Sequence, residues 1–228
     1  MTSSKDQQTQ NTVEEKAPGR CISVFSNTGG VGATTLAINV ASSMAAQLKG
    51  SVVLVDLILQ RGDVSSFLDI PTLYTTVNLV SDSDRVDANF LRSVLPKHPS
   101  GMYVLPAPNS PDEADLITAS QISHMLKLLG AHFEAVVIDA GHEYNDITLT
   151  VLDESDQVLL MSLPLLPSIR NTKRNLEMFE RLEYDSSKIV LAVNRYDARG
   201  RWIRARSRRP WAILFTGASP TIMKQPSG

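Results

Sequence analysis

Ser26-Asn27-Thr28-Gly29-Gly30-Val31-Gly32-Ala33-Thr34-Thr35 is the stretch on which the fold turns. The short apolar run Cys21-Ile22-Ser23-Val24-Phe25 precedes it. Leu36, Val40, Met44 and Leu48 follow at roughly helical spacing, with Gly50 as the expected stop. The order is strand, Gly-rich turn, helix, the arrangement in which backbone N–H groups and a helix N-terminus surround phosphate oxygens. A Gly-rich turn can also join strand to helix with no ligand, so the surrounding sequence has to decide.

Outward from the turn, the alternation repeats. Val52-Val53-Leu54-Val55-Asp56 is apolar at successive positions, the habit of strands buried on both faces in a parallel sheet. Met102-Tyr103-Val104-Leu105 reads as a strand closed by Pro106 and Pro108. Thr118 and Gln121 have capping-box spacing and open a helix with Ile122, Met125, Leu126 and Leu129 inward and Gly130 as terminator. Ala135 to Asp139, Gln157 to Ser162 and Lys188 to Val193 read as further strands. Ser168 is the expected cap of a helix to Tyr184, with Ile169, Leu176, Phe179 and Leu182 inward. Strands alternating with helices predict an α/β fold with right-handed crossovers and a mostly parallel sheet.

With 228 residues, the chain has room for one full-sized domain with tails or two small ones. Its 43% hydrophobic and 20% charged residues exclude a wholly disordered protein. The longest apolar candidate, Val158 to Leu166, carries Ser162 and Pro164 and falls short of the roughly 18 residues of a membrane span. Only Met1, Val13 and Ala17 are apolar in the first 20 residues, so no secretory leader is expected. Cys21 stands alone and the four histidines lack metal-ligand spacing, which points to a cytoplasmic protein. Charge is split: residues 198–228 carry seven basic and no acidic side chains against a whole-chain charge of −2. The expected organisation is a disordered segment 1–19, a domain 20–197, and a basic tail 198–228 with an atypical C-terminal part.

The loop resembles the deviant phosphate loop of the MinD/ParA family, whose pattern is Lys-Gly-Gly-x-Gly-Lys-Thr/Ser. Gly29, Gly30 and Gly32 match, and Thr34 takes the hydroxyl position that holds Mg²⁺. Thr28 and Ala33 stand where the family has its two lysines. Asp56-Leu57-Ile58-Leu59-Gln60-Arg61-Gly62-Asp63 is similar to the family's Asp-x-Asp-x-Gln segment, with Ile58 in place of the second aspartate. Asp139 resembles the Walker B acid, and Asn194 the asparagine that contacts adenine. The pilus-assembly branch, CpaE or TadZ, is the nearest resemblance. It rests on Asp56 to Asp63, Leu105-Pro106-Ala107-Pro108 with Pro111-Asp112-Glu113-Ala114, and Asn194-Arg195-Tyr196. It covers about residues 20–197 and lacks the receiver-like N-terminal domain and the C-terminal elements common there.

The resemblance implies a three-layer P-loop fold and a scaffold or positioning factor in type IV/Flp (tad) pilus assembly. ATP or ADP is expected on Gly29, Gly30, Val31, Gly32, Ala33, Thr34, Thr35 and Asn194, with Mg²⁺ near Thr34, Asp56 and Asp139. Expected partners are pilus-assembly proteins and a homodimer of weak ATP dependence, at the inner membrane or cell pole. A charge-assisted hydrogen bond contributes about 1.5–3 kcal/mol, so loss of the lysines weakens binding roughly 10- to 150-fold. Hydrolysis needs charge beside the transferred phosphoryl group, which Thr28 and Ala33 do not supply. Three rivals remain: an active ATPase using Arg61 or a partner chain's cation, a DNA-partition-like protein gripping nucleic acid or membrane through Arg199 to Arg209, and a ligand-free interaction module. The tail reads better as a truncated or frame-shifted terminus than as a functional basic arm.

Overall fold

The computed structural model describes residues 17–26, 28–49, 51–83, 86–195, 212–216 and 219–221. The parallel strands are β1 (Arg20–Phe25), β2 (Val52–Asp56), β3 (Tyr103–Leu105), β4 (Ala135–Asp139), β5 (Gln157–Ser162), β6 (Ile189–Val193) and β7 (Ala212–Thr216). A short antiparallel β8 (Ser219–Thr221) completes the sheet, in the order β3-β2-β4-β1-β5-β6-β7-β8. Every residue of β2 and β4 is buried. Each Val, Leu or Ile so enclosed contributes roughly 1.5–3 kcal/mol, which is why these continuous apolar runs occupy the middle of the sheet.

Helices cover both faces, giving the three layers expected. On one side α1 (Ala33–Gln47) and α2 (Val64–Leu68) bury Leu36, Ala37, Ala41, Ala45 and Val64 against Ile22, Val24, Leu54 and Val137. On the other lie α3 (Thr76–Asp82), α4 (Ala88–Val94), α5 (Pro111–Ala114), α6 (Ala119–His132), α7 (Asp146–Glu154) and α8 (Leu166–Arg181). Since β1 lies between β4 and β5, the loop leaving β1 opens at a topological switch point, where ligands of such sheets collect.

Several local expectations are corrected. The buried stripe of α1 is Leu36-Ala37-Ala41-Ala45, while Val40, Met44 and Leu48 are only partly covered; alanines let the helix axis approach the sheet closely. Gly130 does not end α6, which runs on to His132. It lies beneath the chain entering β1, and the Gly19 N–H donates to its carbonyl at 2.7 Å. The helix expected from Ser168 begins at Leu166, and its buried face is Ser168, Thr172, Asn175 and Phe179, whereas Ile169 and Leu182 are about half exposed. Hydroxyls explain this: Thr172 Oγ1 lies 2.8 Å from Ser162 Oγ, and the Leu163 N–H donates to Ser168 Oγ at 2.9 Å. Ser162, Ser168 and Thr172 bury here because they satisfy one another. Beyond residue 197, β7 and β8 extend the sheet from β6. Residues 1–16, Asn27, Gly50 and Arg199 to Arg209 lie outside the described residues.

Candidate functional site

The loop after β1 is tied at its base and open at its top. The Ser26 N–H donates to the Gly141 carbonyl at 3.1 Å, and Ser26 Oγ to the Thr28 carbonyl at 3.0 Å. Gly30 and Gly32 both have left-handed backbones, with φ of 72° and 94°, a conformation that costs other L-residues roughly 1–2 kcal/mol. Gly29 and Gly30 are exposed, and no heavy atom comes within 4 Å of where a Cβ would stand. Gly32 heads α1, and no side chain caps that helix. Its first-turn N–H groups therefore keep their capacity for an anion. Val31 is buried as the loop's anchor, Ala33 and Thr34 are partly covered, and Thr35 is exposed.

Asn194, at the end of β6, braces the loop from beneath. Its amide donates to the Val31 carbonyl at 2.8 Å and lies 2.7 Å from a Cβ built on Gly32. Its Oδ1 accepts from the Arg195 N–H at 2.7 Å. Asn194 thus meets the loop through its backbone. Thr28, at the signature-lysine position, is partly buried, and its Oγ1 accepts from Asn171 Nδ2 of α8 at 3.3 Å.

Asp56 and Asp139 end neighbouring parallel strands and stand opposite one another in the register. Asp56 is 1% exposed; its two oxygens accept from the Ile58 and Val64 N–H groups, each at 3.1 Å. Burial, then the Asp139 charge, pushes its pKa up to about 7, against the opposing pull of those bonds. Asp139 is fully buried, and burial raises its pKa too, opposed by the Thr34 hydroxyl and the Gly141 N–H. Its Oδ2 has no hydrogen-bond partner among the described residues. Two desolvated carboxylates and a hydroxyl form an all-oxygen set, which suits a hard divalent cation, and the orphaned Oδ2 is where such an ion would be satisfied. Asp56 and Asp139 thus stand side by side, with the Thr34 hydroxyl on Asp139.

Ile58 lines the same cleft as Thr34, its Cγ1 at 3.1 Å from a Cβ built on Gly141. The loop borders a cleft of about 820 Å³ shared with Arg61, the start of α6 and the start of α7. The α7 wall went unread in the sequence. Its signal was Asn145 three residues before Thr148, since Asn145 Oδ1 caps the helix by accepting the Thr148 N–H at 2.8 Å.

The AAA domain family AAA_31 matches residues 19–183. The septum site-determining protein MinD of Thermotoga maritima is 26% identical over 180 residues, covering 78% of this chain and 65% of that protein. The chain spans just under two thirds of the length of the first two MinD relatives, 65% and 64%. Among solved structures, a ParA family ATPase from Chlorobium tepidum superposes with a TM-score of 0.73 at 23% identity, covering 78% of this chain and 75% of that one. MinD of Pyrococcus horikoshii, complexed with Mg-ADP, gives 0.62 at 18% identity, covering 80% and 72%.

Proposed function

The chain belongs to the AAA_31 family of AAA domains, as a P-loop protein of MinD/ParA type, and from that premise we propose that it binds ATP or ADP with Mg²⁺ and works as a scaffold, turning nucleotide over at no more than background rate. One observation carries the reading: the open Gly29-Gly30 cradle at the uncapped start of α1 lies beside Thr34 and the orphaned Asp139 carboxylate. Backbone from Gly29 to Thr35 would hold the phosphates, and Asn194 keeps Val31 and Gly32 in place from below. Thr34 and Asp139, with Asp56 alongside, would hold Mg²⁺, which supplies positive charge to the phosphates when bound. The Mg-ADP in the Pyrococcus horikoshii MinD structure supports this ligand class.

Slow turnover follows from what surrounds the cradle. Ile58 places an apolar side chain where a carboxylate is needed to orient the attacking water, and neither Thr28 nor Ala33 sets a cation within the phosphate loop itself, beside the developing negative charge. The role we infer is a positioning factor in type IV/Flp pilus assembly, at the cytoplasmic side of the inner membrane or at the cell pole, with pilus-assembly proteins as partners. The segments Asp56 to Asp63, Leu105 to Ala114 and Asn194 to Tyr196 support it. Among the described residues no helix is long and apolar enough to cross a membrane.

Calorimetric titration with ATP and ADP, with and without Mg²⁺, tests the binding. A dissociation constant between micromolar and millimolar, tighter with Mg²⁺, is expected; no heat at millimolar ligand refutes the reading. The pilus role predicts that a deletion strain loses surface pili and that the wild-type chain restores them, whereas normal piliation of the deletion strain contradicts it.

A further inference from the structure

We propose that Arg61 is the phosphate-binding cation of this site, in place of the lysines that Thr28 and Ala33 replace; the inference rests on the nucleotide reading above. Arg61 lines the same cleft as Gly29, Gly30 and Thr34, and it is the one Lys or Arg among the described residues that does so. Its backbone is held firmly. The segment 57–63 leaves β2 and enters α2 with both ends on one carboxylate, Ile58 N–H on Asp56 Oδ1 and Val64 N–H on Asp56 Oδ2. Gly62 lies so close that an added Cβ would come 2.5 Å from Asp56 Oδ2, and the Arg61 N–H closes the turn on the Ile58 carbonyl at 3.1 Å. The residue at the crest of this loop is thus fixed relative to the Asp56–Asp139 pair.

Its side chain is exposed and, among the described residues, makes no ion pair or side-chain hydrogen bond. That freedom is informative because the cleft offers Asp63, Asp115, Glu143 and Asp146 as partners. The same acids, above two buried carboxylates, oppose entry of a polyanion. One divalent ion offsets only part of the charge of a di- or triphosphate, and Arg61 is the described Lys or Arg placed to add to it. A guanidinium fork also matches two phosphate oxygens at once. An arginine serving solubility alone could stand on any exposed face; this one stands on a loop anchored to the acid beside the cradle.

The test is calorimetric titration of wild type, Arg61→Ala and Arg61→Lys with ATP, ADP and AMP in Mg²⁺, with melting curves of the apo proteins as a folding control. Loss of one charge-assisted contact predicts roughly 10- to 150-fold weaker ATP binding in Arg61→Ala, an intermediate loss in Arg61→Lys, unchanged AMP binding and an unchanged melting temperature. Equal ATP affinity in wild type and Arg61→Ala overturns the inference and leaves the nucleotide reading standing. Equal losses for ATP and AMP also overturn it, because they report a disturbed loop. Wild type that binds neither ATP nor ADP removes the nucleotide reading and this inference together.

Discussion

Replacing Gly32 by alanine tests the brace between the loop and Asn194. At φ 94° and ψ 28°, an alanine pays roughly 1–2 kcal/mol for its left-handed backbone. Its Cβ would stand 2.7 Å from Asn194 Nδ2, so the amide must swing away and give up its 2.8 Å bond to the Val31 carbonyl. That loss adds about 0.5–1.5 kcal/mol. The reduced freedom of the unfolded chain returns about 0.4–1 kcal/mol, leaving a net destabilisation of roughly 0.5–3 kcal/mol. In an Asn194→Ala background the clash is already gone and only the backbone cost remains. A double-mutant cycle by urea unfolding, followed by far-ultraviolet circular dichroism, should therefore show a coupling of about 0.5–1.5 kcal/mol. A Gly32→Ala penalty of the same size in both backgrounds would refute the contact, and no penalty at all would refute the loop conformation.

The buried pair sets a pH dependence. With the folded pKa of Asp56 raised to about 7, the native state holds a proton that the unfolded state has released above its ordinary carboxylate pKa. Stability should then fall as pH rises from about 4 to 7, by on the order of 4 kcal/mol at most. Asp139→Asn should flatten that slope in apo protein while removing Mg²⁺-dependent stabilisation, read by thermal melts across pH. Ala33→Lys should tighten ATP binding by up to roughly 100-fold in calorimetry without raising turnover, since uniform binding does not lower the chemical barrier. Thr28, tied to Asn171, carries no charge into a partner's site, so sedimentation velocity should show self-association little changed by ATP; a sharp ATP-driven dimer would contradict that.

The strands of the central sheet were legible because Val52 to Val55 and Ala135 to Ile138 are buried on both faces and so read as unbroken apolar runs. The start of α6 was legible in Thr118 and Gln121, whose side chains form the reciprocal cap the spacing implies. The inner face of α8 was not. Ser168 and Thr172 bury by satisfying polar groups, which hydropathy cannot see, while Ile169 and Leu182 remain about half exposed. Helices α2 to α5 have four to seven residues each, too few for a periodicity to register. The phosphate-loop candidates came from one local stretch, but the meeting of Asp56 and Asp139 depends on β2 lying beside β4. Residues 56 and 139 are far apart in the chain, and the sequence named both without supplying that adjacency.

The central claim is a nucleotide held without turnover, and phosphate release under saturating ATP and Mg²⁺ tests it most directly. The account predicts release at the background rate from wild type and from Asp139→Ala alike, with binding demonstrated under the same conditions. Mg²⁺-dependent release by wild type that disappears in Asp139→Ala would show a working ATPase and contradict the account.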